Sequence, residues 1–327
     1  MIRLLITGGA GFIGSNFILY MLERYRAHIH ITNLDLLTYA GNPANLVDIE
    51  GLLNYQFIHG DITDPELVRR ILQEPYDAII HFAAESHVDR SIEGPMSFFH
   101  TNVIGTLVLL EAAREHGIKR FIQISTDEVY GTLGPEGLFS ETSAMLPNSP
   151  YSASKASSDM AARAYYHTYG FPTIITRCSN NYGPRQYPEK LIPRIITNAI
   201  QDKPIPVFGD GGQVRDWLHV TDHCSAIDYV LRSGQPGEVY NIGSNHELTN
   251  LEMIKLILNL LNKPHSLIHF TQDRLGHDRR YAINAGKIRH ELGWSSKIPL
   301  AQGIQSTIEW YVRNVDWWKP LLQSESL

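Results

Sequence analysis

The sequence predicts an α/β protein: a Rossmann-type, doubly wound parallel sheet with a smaller, discontinuous α/β substrate-binding lobe. Three observations predict it. Short apolar runs alternate with amphipathic helical patterns from the N-terminus to about residue 178, which is the signature of repeated β-α-β units. Glycines at Gly8, Gly11 and Gly14 lie between the first apolar run and the first helical pattern. In that setting a glycine loop marks a dinucleotide site. The polar clusters of the first half also fall where strands end, and open α/β sheets bind ligands outside the carboxyl ends of their strands.

Taken in order, Leu4, Leu5 and Ile6 form the first strand, and Phe17, Ile18, Met21 and Leu22 fall on one face of the helical pattern Ser15–Arg26. Gly8, Gly11, Phe12, Ile13 and Gly14 then bring backbone N–H groups to a pyrophosphate at the helix start. The second strand, His28 to Leu34, ends at Asp35, 21 residues past Gly14. A carboxylate there accepts from the hydroxyls of an adenosine ribose and repels a 2′-phosphate, so the expected cofactor is NAD rather than NADP. Leu36 and Thr38 follow Asp35 in the same site. The third strand, Tyr55 to His59, leads to Asp61 and Ile62, and a helix follows from Pro65 to Gln73. The fourth, Asp77 to Phe82, ends in Ala83, Ala84, Glu85, Ser86 and His87, small residues that leave room for a cofactor ring or ribose. Phe82, Ala83, Ala84, Ser86 and Thr101 complete this part of the cofactor list. The pattern Pro95–His116 is apolar on more than one face and reads as a buried helix.

The fifth strand, Phe121 to Ile124, delivers Ser125, Thr126, Asp127 and Glu128 to the sheet edge. Soon after come Tyr151 and Lys155, four apart and so on one helical face. A tyrosine pKa near ~10 is too high for a base at neutral pH. A neighbouring ammonium and an oxidised nicotinamide both favour the phenolate. The pair thus suits removal of an alcohol proton as hydride leaves.

At 327 residues, 43% hydrophobic and 19% charged, the composition is that of an ordinary globular protein. A net charge of −6 argues against a nucleic-acid surface. Cys178 and Cys224 are too few for a disulfide framework and fit a reducing, cytoplasmic setting. No secretion signal is expected, and no apolar run of the ~20 residues that a membrane span needs. The histidine pairs His219/His223 and His265/His269 have no nearby third ligand in sequence, so no metal is expected.

Thr7 to Gly14, Asp35, Asp61, Tyr151 and Lys155 resemble the extended short-chain dehydrogenase/reductases. The stretches Ala83–Ser91, Ser125–Gly131, Pro150–Asp159, Cys178–Pro184, Pro188–Pro193, Arg215–Val220 and Gly276–Ala282 closely resemble the dTDP-glucose 4,6-dehydratase family. The acidic pair Asp127 and Glu128 sets them apart from the 4-epimerases. Leu275 stands where the family usually has proline.

The resemblance implies residues 1–178 as an NAD-binding domain, with later strands near 210–243 returning to it, and 179–327 as mainly a sugar-nucleotide lobe. It implies conversion of dTDP-glucose to dTDP-4-keto-6-deoxyglucose with tightly held NAD, in a homodimer built on the faces of Pro95–His116 and Ser152–Tyr169. Tyr151 with Lys155 and Thr126 would act on the 4-hydroxyl, Glu128 on the C5 proton and Asp127 on the leaving 6-hydroxyl. By the same resemblance Asn181 faces the nicotinamide. Ser86, His87, Thr126, Asn180, Lys190, Leu191, Pro206, Val207, Phe208, Arg215, Asn250, Asp273, Arg274 and His277 hold the substrate, with arginines suited to the diphosphate. The alternatives are a UDP-sugar 4-epimerase, a UDP-glucose 4,6-dehydratase and a non-catalytic NAD-binding regulator. An epimerase would give Asp127 and Glu128 no task.

Overall fold

A computed structural model describes residues 1–273 and 276–324. The first six strands are β1 (Ile2–Thr7), β2 (Ile29–Asp35), β3 (Tyr55–His59), β4 (Ala78–His81), β5 (Phe121–Thr126) and β6 (Thr173–Cys178). Those that follow are β7 (Asn180–Tyr182), β8 (Ile205–Phe208), β9 (Val214–His219), β10 (Val239–Ile242), β11 (Glu247–Thr249) and β12 (Ile268–Thr271). Seven strands form one sheet in the order β10-β6-β5-β4-β1-β2-β3. Every neighbouring pair in it is parallel. Leu4, Leu5 and Ile6 are completely buried because helices cover both faces, which is why β1 reads as an unbroken apolar run.

Strand order reverses beside β1, between β2 and β4. Connections diverge there and open a crevice at the carboxyl ends. The helix Phe12–Tyr25 packs Phe17, Ile18 and Met21 on one face of the sheet. On the other face, Leu109, Leu110 and Ala113 pack against Val68, Phe121 and Phe171.

The helical stretch Pro95–Glu115 contains a π segment, His100–Gly105. Such wide turns recur at functional sites. Here the segment carries Thr101 to the crevice and Asn102, whose side chain bonds the backbone of Glu85 and the Ser154 hydroxyl. Contrary to the sequence expectation, this stretch of 21 residues is long and apolar enough to cross a bilayer. Its buried side and its packing on Pro65–Ile71 and Pro150–Tyr169 make it a core helix of the α/β layer.

The smaller lobe holds a three-stranded sheet, β11-β9-β7, and the pair β12-β8. Its core gathers Ile195, Trp217, Met253, Ile304 and Trp318. The chain returns from this lobe to the large sheet: the helix Val220–Ser233 packs on Phe12–Tyr25, and β10 pairs with β6. The other strand between residues 210 and 243, β9, instead pairs with β7 and β11, because β7 leaves the large sheet directly after β6 and draws it away. His265–Leu267 is a 3-10 turn, and β12 follows it from Ile268.

Candidate active site

The crevice begins at the glycine loop. Gly8 has φ +72°, and a Cβ there would meet the Ala83 nitrogen at 2.5 Å. A Cβ on Gly14 would lie 2.3 Å from the Gly8 carbonyl oxygen. These contacts bring the helix start close against β1 and β4. Gly11 caps that helix without any side-chain hydrogen bond, and its first turn carries no acid. Free backbone donors and the positive end of the helix dipole therefore face the cavity, as an anionic pyrophosphate requires.

Asp35, at the end of β2, accepts from Ala10 N and Leu37 N at 2.8 Å each. Each oxygen retains a lone-pair direction for a ribose hydroxyl. Burial pushes this carboxyl above its usual range, against the pull of those two backbone bonds. A cavity of about 370 Å³ runs from here to β5. Gly8, Gly11, Phe12, Ile13, Gly14, Asp35, Leu36, Thr38, Asp61, Ile62, Phe82, Ala83, Ala84, Ser86, Thr101, Tyr151, Lys155 and Asn181 all line it. A ready-made anion cradle, a carboxylate placed for a ribose and a long apolar-walled cleft fit a dinucleotide.

At the far end β5 runs into a 3-10 turn, Asp127–Tyr130. Thr126 caps that turn, accepting from Glu128 N at 3.2 Å. Its hydroxyl lies 3.3 Å from Asp127 Oδ1 and also reaches the Tyr151 phenol. One proton serves both, so Thr126 donates to whichever oxygen carries charge.

Asp127 is 1% exposed, and its Oδ2 has no hydrogen-bond partner. Burial first, then the Glu128 charge, pushes its pKa far above the ordinary carboxylate range. A carboxyl placed so favours its protonated form, with an O–H to give.

Tyr151 and Lys155 share a face of the helix Pro150–Tyr169, which starts with a Ser149/Ser152 capping box. Lys155 Nζ donates to the Ile124 carbonyl at 2.7 Å. Burial lowers the ammonium, and Asp159 and Cys178 oppose that. The phenol departs from the sequence expectation. Burial, then Glu128, Cys178 and Asp127, hold Tyr151 well above its usual range, and Thr126 pulls the other way. Desolvation by the closed walls is the largest cause.

A second cavity, about 200 Å³, opens beside the first. The two share Glu128, Asn180, Glu189 and Lys190 as a common wall. His87, Leu191, Pro206, Phe208, Arg215, Asn250 and His277 line the second cavity. Lys190 ties the lobes by donating to the Ser86 carbonyl at 3.1 Å. Arg215 is 8% exposed, bonds the Val214 and Asp278 carbonyls and lies 4.2 Å over the Tyr281 ring.

Two expected substrate residues stand elsewhere. Val207 alternates away from Pro206 and Phe208 into the lobe core. Asp273 lies outside the cavity wall, its carboxylate bonded to His277 at 2.6 Å. Arg274 and Leu275 lie outside the described residues.

Sequence reasoning missed Gln186, Tyr187 and Glu189 in the first cavity and Arg194, Trp217, Asp278 and Tyr281 in the second. Arg194 was discoverable, lying four residues past Lys190 on one helical face. Trp217 lies on β9, and the others come from loops whose path no local pattern predicts.

His223 is fully buried, and burial lowers its pKa to about 3. Its Nδ1 lies 2.9 Å from Asn181 Oδ1, so it orients an amide. His219 accepts from Thr221 N as a helix cap. Among the described residues no cluster of three or more His, Cys, Asp or Glu side chains is placed to hold a metal.

The sequence model of the GDP-mannose 4,6 dehydratase family matches residues 5–307. The dTDP-glucose 4,6-dehydratase of Xanthomonas campestris pv. campestris (strain B100) is 53% identical over 332 residues, covering 96% of this chain and 94% of its own. The chain belongs to the dTDP-glucose 4,6-dehydratase family. Solved structures of the family superpose closely. DesIV of Streptomyces venezuelae, with NAD and TYD bound, gives a TM-score of 0.95 at 49% identity, covering 98% of this chain and 100% of its own. The dTDP-glucose 4,6-dehydratase of Bacillus anthracis, in complex with NAD, gives 0.93 at 52% identity, with 98% and 100% covered.

Proposed function

We propose that the protein is an NAD-dependent lyase that converts dTDP-glucose to dTDP-4-keto-6-deoxyglucose. One observation carries this reading beyond a generic sugar-nucleotide oxidoreductase. Two adjacent carboxyls line the site, Glu128 in the wall that both cavities share and Asp127 in the first, and burial beside Glu128 raises the Asp127 pKa well above the carboxylate range. An elimination needs an acid and a base side by side, and a pair with split pKa values provides both.

When bound, NAD supplies an acceptor for the electron pair of C4, a donor of that pair to C6, and a positive charge beside the Tyr151 phenol. Gly8, Gly11 and Gly14 would hold its pyrophosphate, and Asp35 its adenosine ribose. With the phenolate favoured by that positive charge and by the Lys155 ammonium, Tyr151 takes the proton of the 4-hydroxyl, assisted by the Thr126 hydroxyl. The 4-keto group formed makes the C5 proton acidic. Glu128 removes that proton, and Asp127 gives its own to the leaving 6-hydroxyl, so water departs. C5 is reprotonated as C6 is reduced. Arg215, Lys190 and His277 face the diphosphate, and Pro206 and Phe208 carry the nucleoside base.

We assign residues 1–178 with the returning segment 220–242 to cofactor binding, and the remainder mainly to the sugar nucleotide. Met96, Ile104 and Met160 expose large apolar side chains on the helices Pro95–Glu115 and Pro150–Tyr169. They support a homodimer through that face, which sedimentation velocity tests. Both cysteines are unpaired and buried, in keeping with a cytoplasmic location that cell fractionation checks.

The deciding experiment incubates the protein with dTDP-glucose and, separately, with UDP-glucose. A 4-keto sugar, seen by its absorbance in base, is expected from dTDP-glucose. UDP-galactose from the second incubation would make the protein an epimerase. A 4-keto sugar made faster from UDP-glucose would reassign the base. No product from either would leave a binding protein.

A further inference from the structure

Beyond Tyr151 and Lys155, the same face of their helix carries a third polar residue. Asp159 lies four residues after Lys155 and eight after Tyr151, so the three stack one turn apart. Asp159 is completely buried, and its Oδ2 pairs with Arg177 Nε of β6 at 2.9 Å. Arg177 is 4% exposed and is itself held. It donates to the Tyr130 hydroxyl at 3.0 Å, and the Tyr130 hydroxyl donates to Asn241 Oδ1 at 2.8 Å. Burying an ion pair this deeply is expensive, and packing alone does not require it.

Lys155 needs a counter-charge. It is 4% exposed, and among the described residues its Nζ donates to a neutral carbonyl alone. We infer that Asp159 is a positioning residue: the buried counter-ion of Lys155, kept ionised by Arg177, which holds the ammonium charged behind Tyr151. This inference rests on the function proposed above and deepens it.

The other groups around Lys155 do not provide such a charge. His81 of β4 is buried and neutral, its pKa lowered to about 3. Cys178 of β6 is a buried thiol pushed up by desolvation. Tyr151, on the same helix, is held in its phenol form. Asp127 and Glu128, beyond β5, act on Tyr151, and burial pushes the Asp127 pKa well above the carboxylate range. Asp159 is the carboxylate that raises the Lys155 pKa; burial raises the Asp159 carboxyl above its usual range, and Arg177 first, then Lys155, pull it back toward the ionised form.

Two variants and two readouts test this. Asp159→Asn removes the counter-ion. Asp159→Asn combined with Arg177→Gln also removes the charge that would otherwise be stranded, and so guards against misfolding. In rate–pH profiles of dTDP-glucose turnover, the alkaline limb of either variant moves down by at least about one pH unit, since an adjacent opposite charge shifts a pKa by one or more units. At a fixed pH on that limb, the rate falls about tenfold relative to the variant's own optimum.

Thermal unfolding reads the same charge without any turnover. Loss of Asp159 lowers the folded-state pKa of Lys155 further below its unfolded value. The variants therefore start below wild type, and the deficit narrows across the alkaline range up to the unfolded lysine value near ~10.4, as the folded variants shed that proton first. Melting curves offset by a constant amount across this range, or an unmoved alkaline limb in a folded variant, would make the ion pair a purely structural one and overturn the inference. Failure of wild type to turn over dTDP-glucose bears on the proposed function alone, because the melting readout stands apart from it.

Discussion

Asp127→Asn separates the catalytic worth of the buried acid from its cost to the fold. The side chain is 1% exposed, and one of its oxygens has no partner. Burial and the Glu128 charge raise its pKa, so the folded protein keeps a proton that the unfolded chain loses. The native state then binds more protons than the unfolded one, and the sign follows directly. Stability falls as pH rises from the unfolded carboxyl value near ~4 up to the raised folded value. The slope is about 1.4 kcal/mol per pH unit over that window.

Asparagine has nearly the same shape and does not titrate. The variant should therefore melt higher than wild type at neutral pH, by about 2 °C for each kcal/mol recovered. Its advantage should shrink as pH falls toward 4. Its kcat should drop by about 10²–10⁴-fold, roughly 3–5 kcal/mol of barrier, because the leaving hydroxyl has lost its acid. Melting curves across pH, set beside steady-state kinetics, give both numbers. A variant less stable than wild type by the same amount at every pH would refute the reasoning, since Asp127 would then be an ionised, satisfied carboxylate.

Three further outcomes are expected. Gly8→Ala, with φ +72° and the Ala83 nitrogen 2.5 Å from the new Cβ, should lose about 1–3 kcal/mol of stability and most NAD affinity, read by melting and by cofactor titration. NADP should bind at least about 10²-fold more weakly than NAD, because its 2′-phosphate meets Asp35, and Asp35→Asn should narrow that gap in a competition titration. Arg215→Ala should raise KM for the nucleotide sugar about 10–100-fold with a smaller change in kcat, as loss of a charge-assisted phosphate contact implies, and steady-state kinetics separate the two.

The large lobe was legible because its signals are local. The glycine spacing, Asp35 and the strand-end residues Ala83 to Ser86 are each fixed by a strand ending in the sheet. All of them line one cavity. Tyr151 and Lys155 were legible for the same reason, being one helical turn apart.

The second lobe was less so. Its cavity draws on residues from His87 to Tyr281, and nothing in a local pattern brings Tyr281 over Arg215 or sets Glu189 between two cavities. Period-two alternation turned Val207 inward even though its neighbours face the ligand space. The protonation of Tyr151 was illegible for another reason. Sequence shows a lysine four residues away, but desolvation depends on how completely the walls close, and here desolvation dominates.

A single-turnover measurement on Glu128→Gln tests whether the acidic pair makes this protein a dehydratase. Wild type and variant, each loaded with NAD, are mixed with dTDP-glucose, and reduced-nicotinamide absorbance and 4-keto-6-deoxy product are followed together. The variant should still oxidise C4, with Tyr151 and Lys155 intact, and should accumulate reduced nicotinamide while losing the deoxy product. Deoxy product formed at close to the wild-type rate would contradict the assignment of Glu128 as the C5 base.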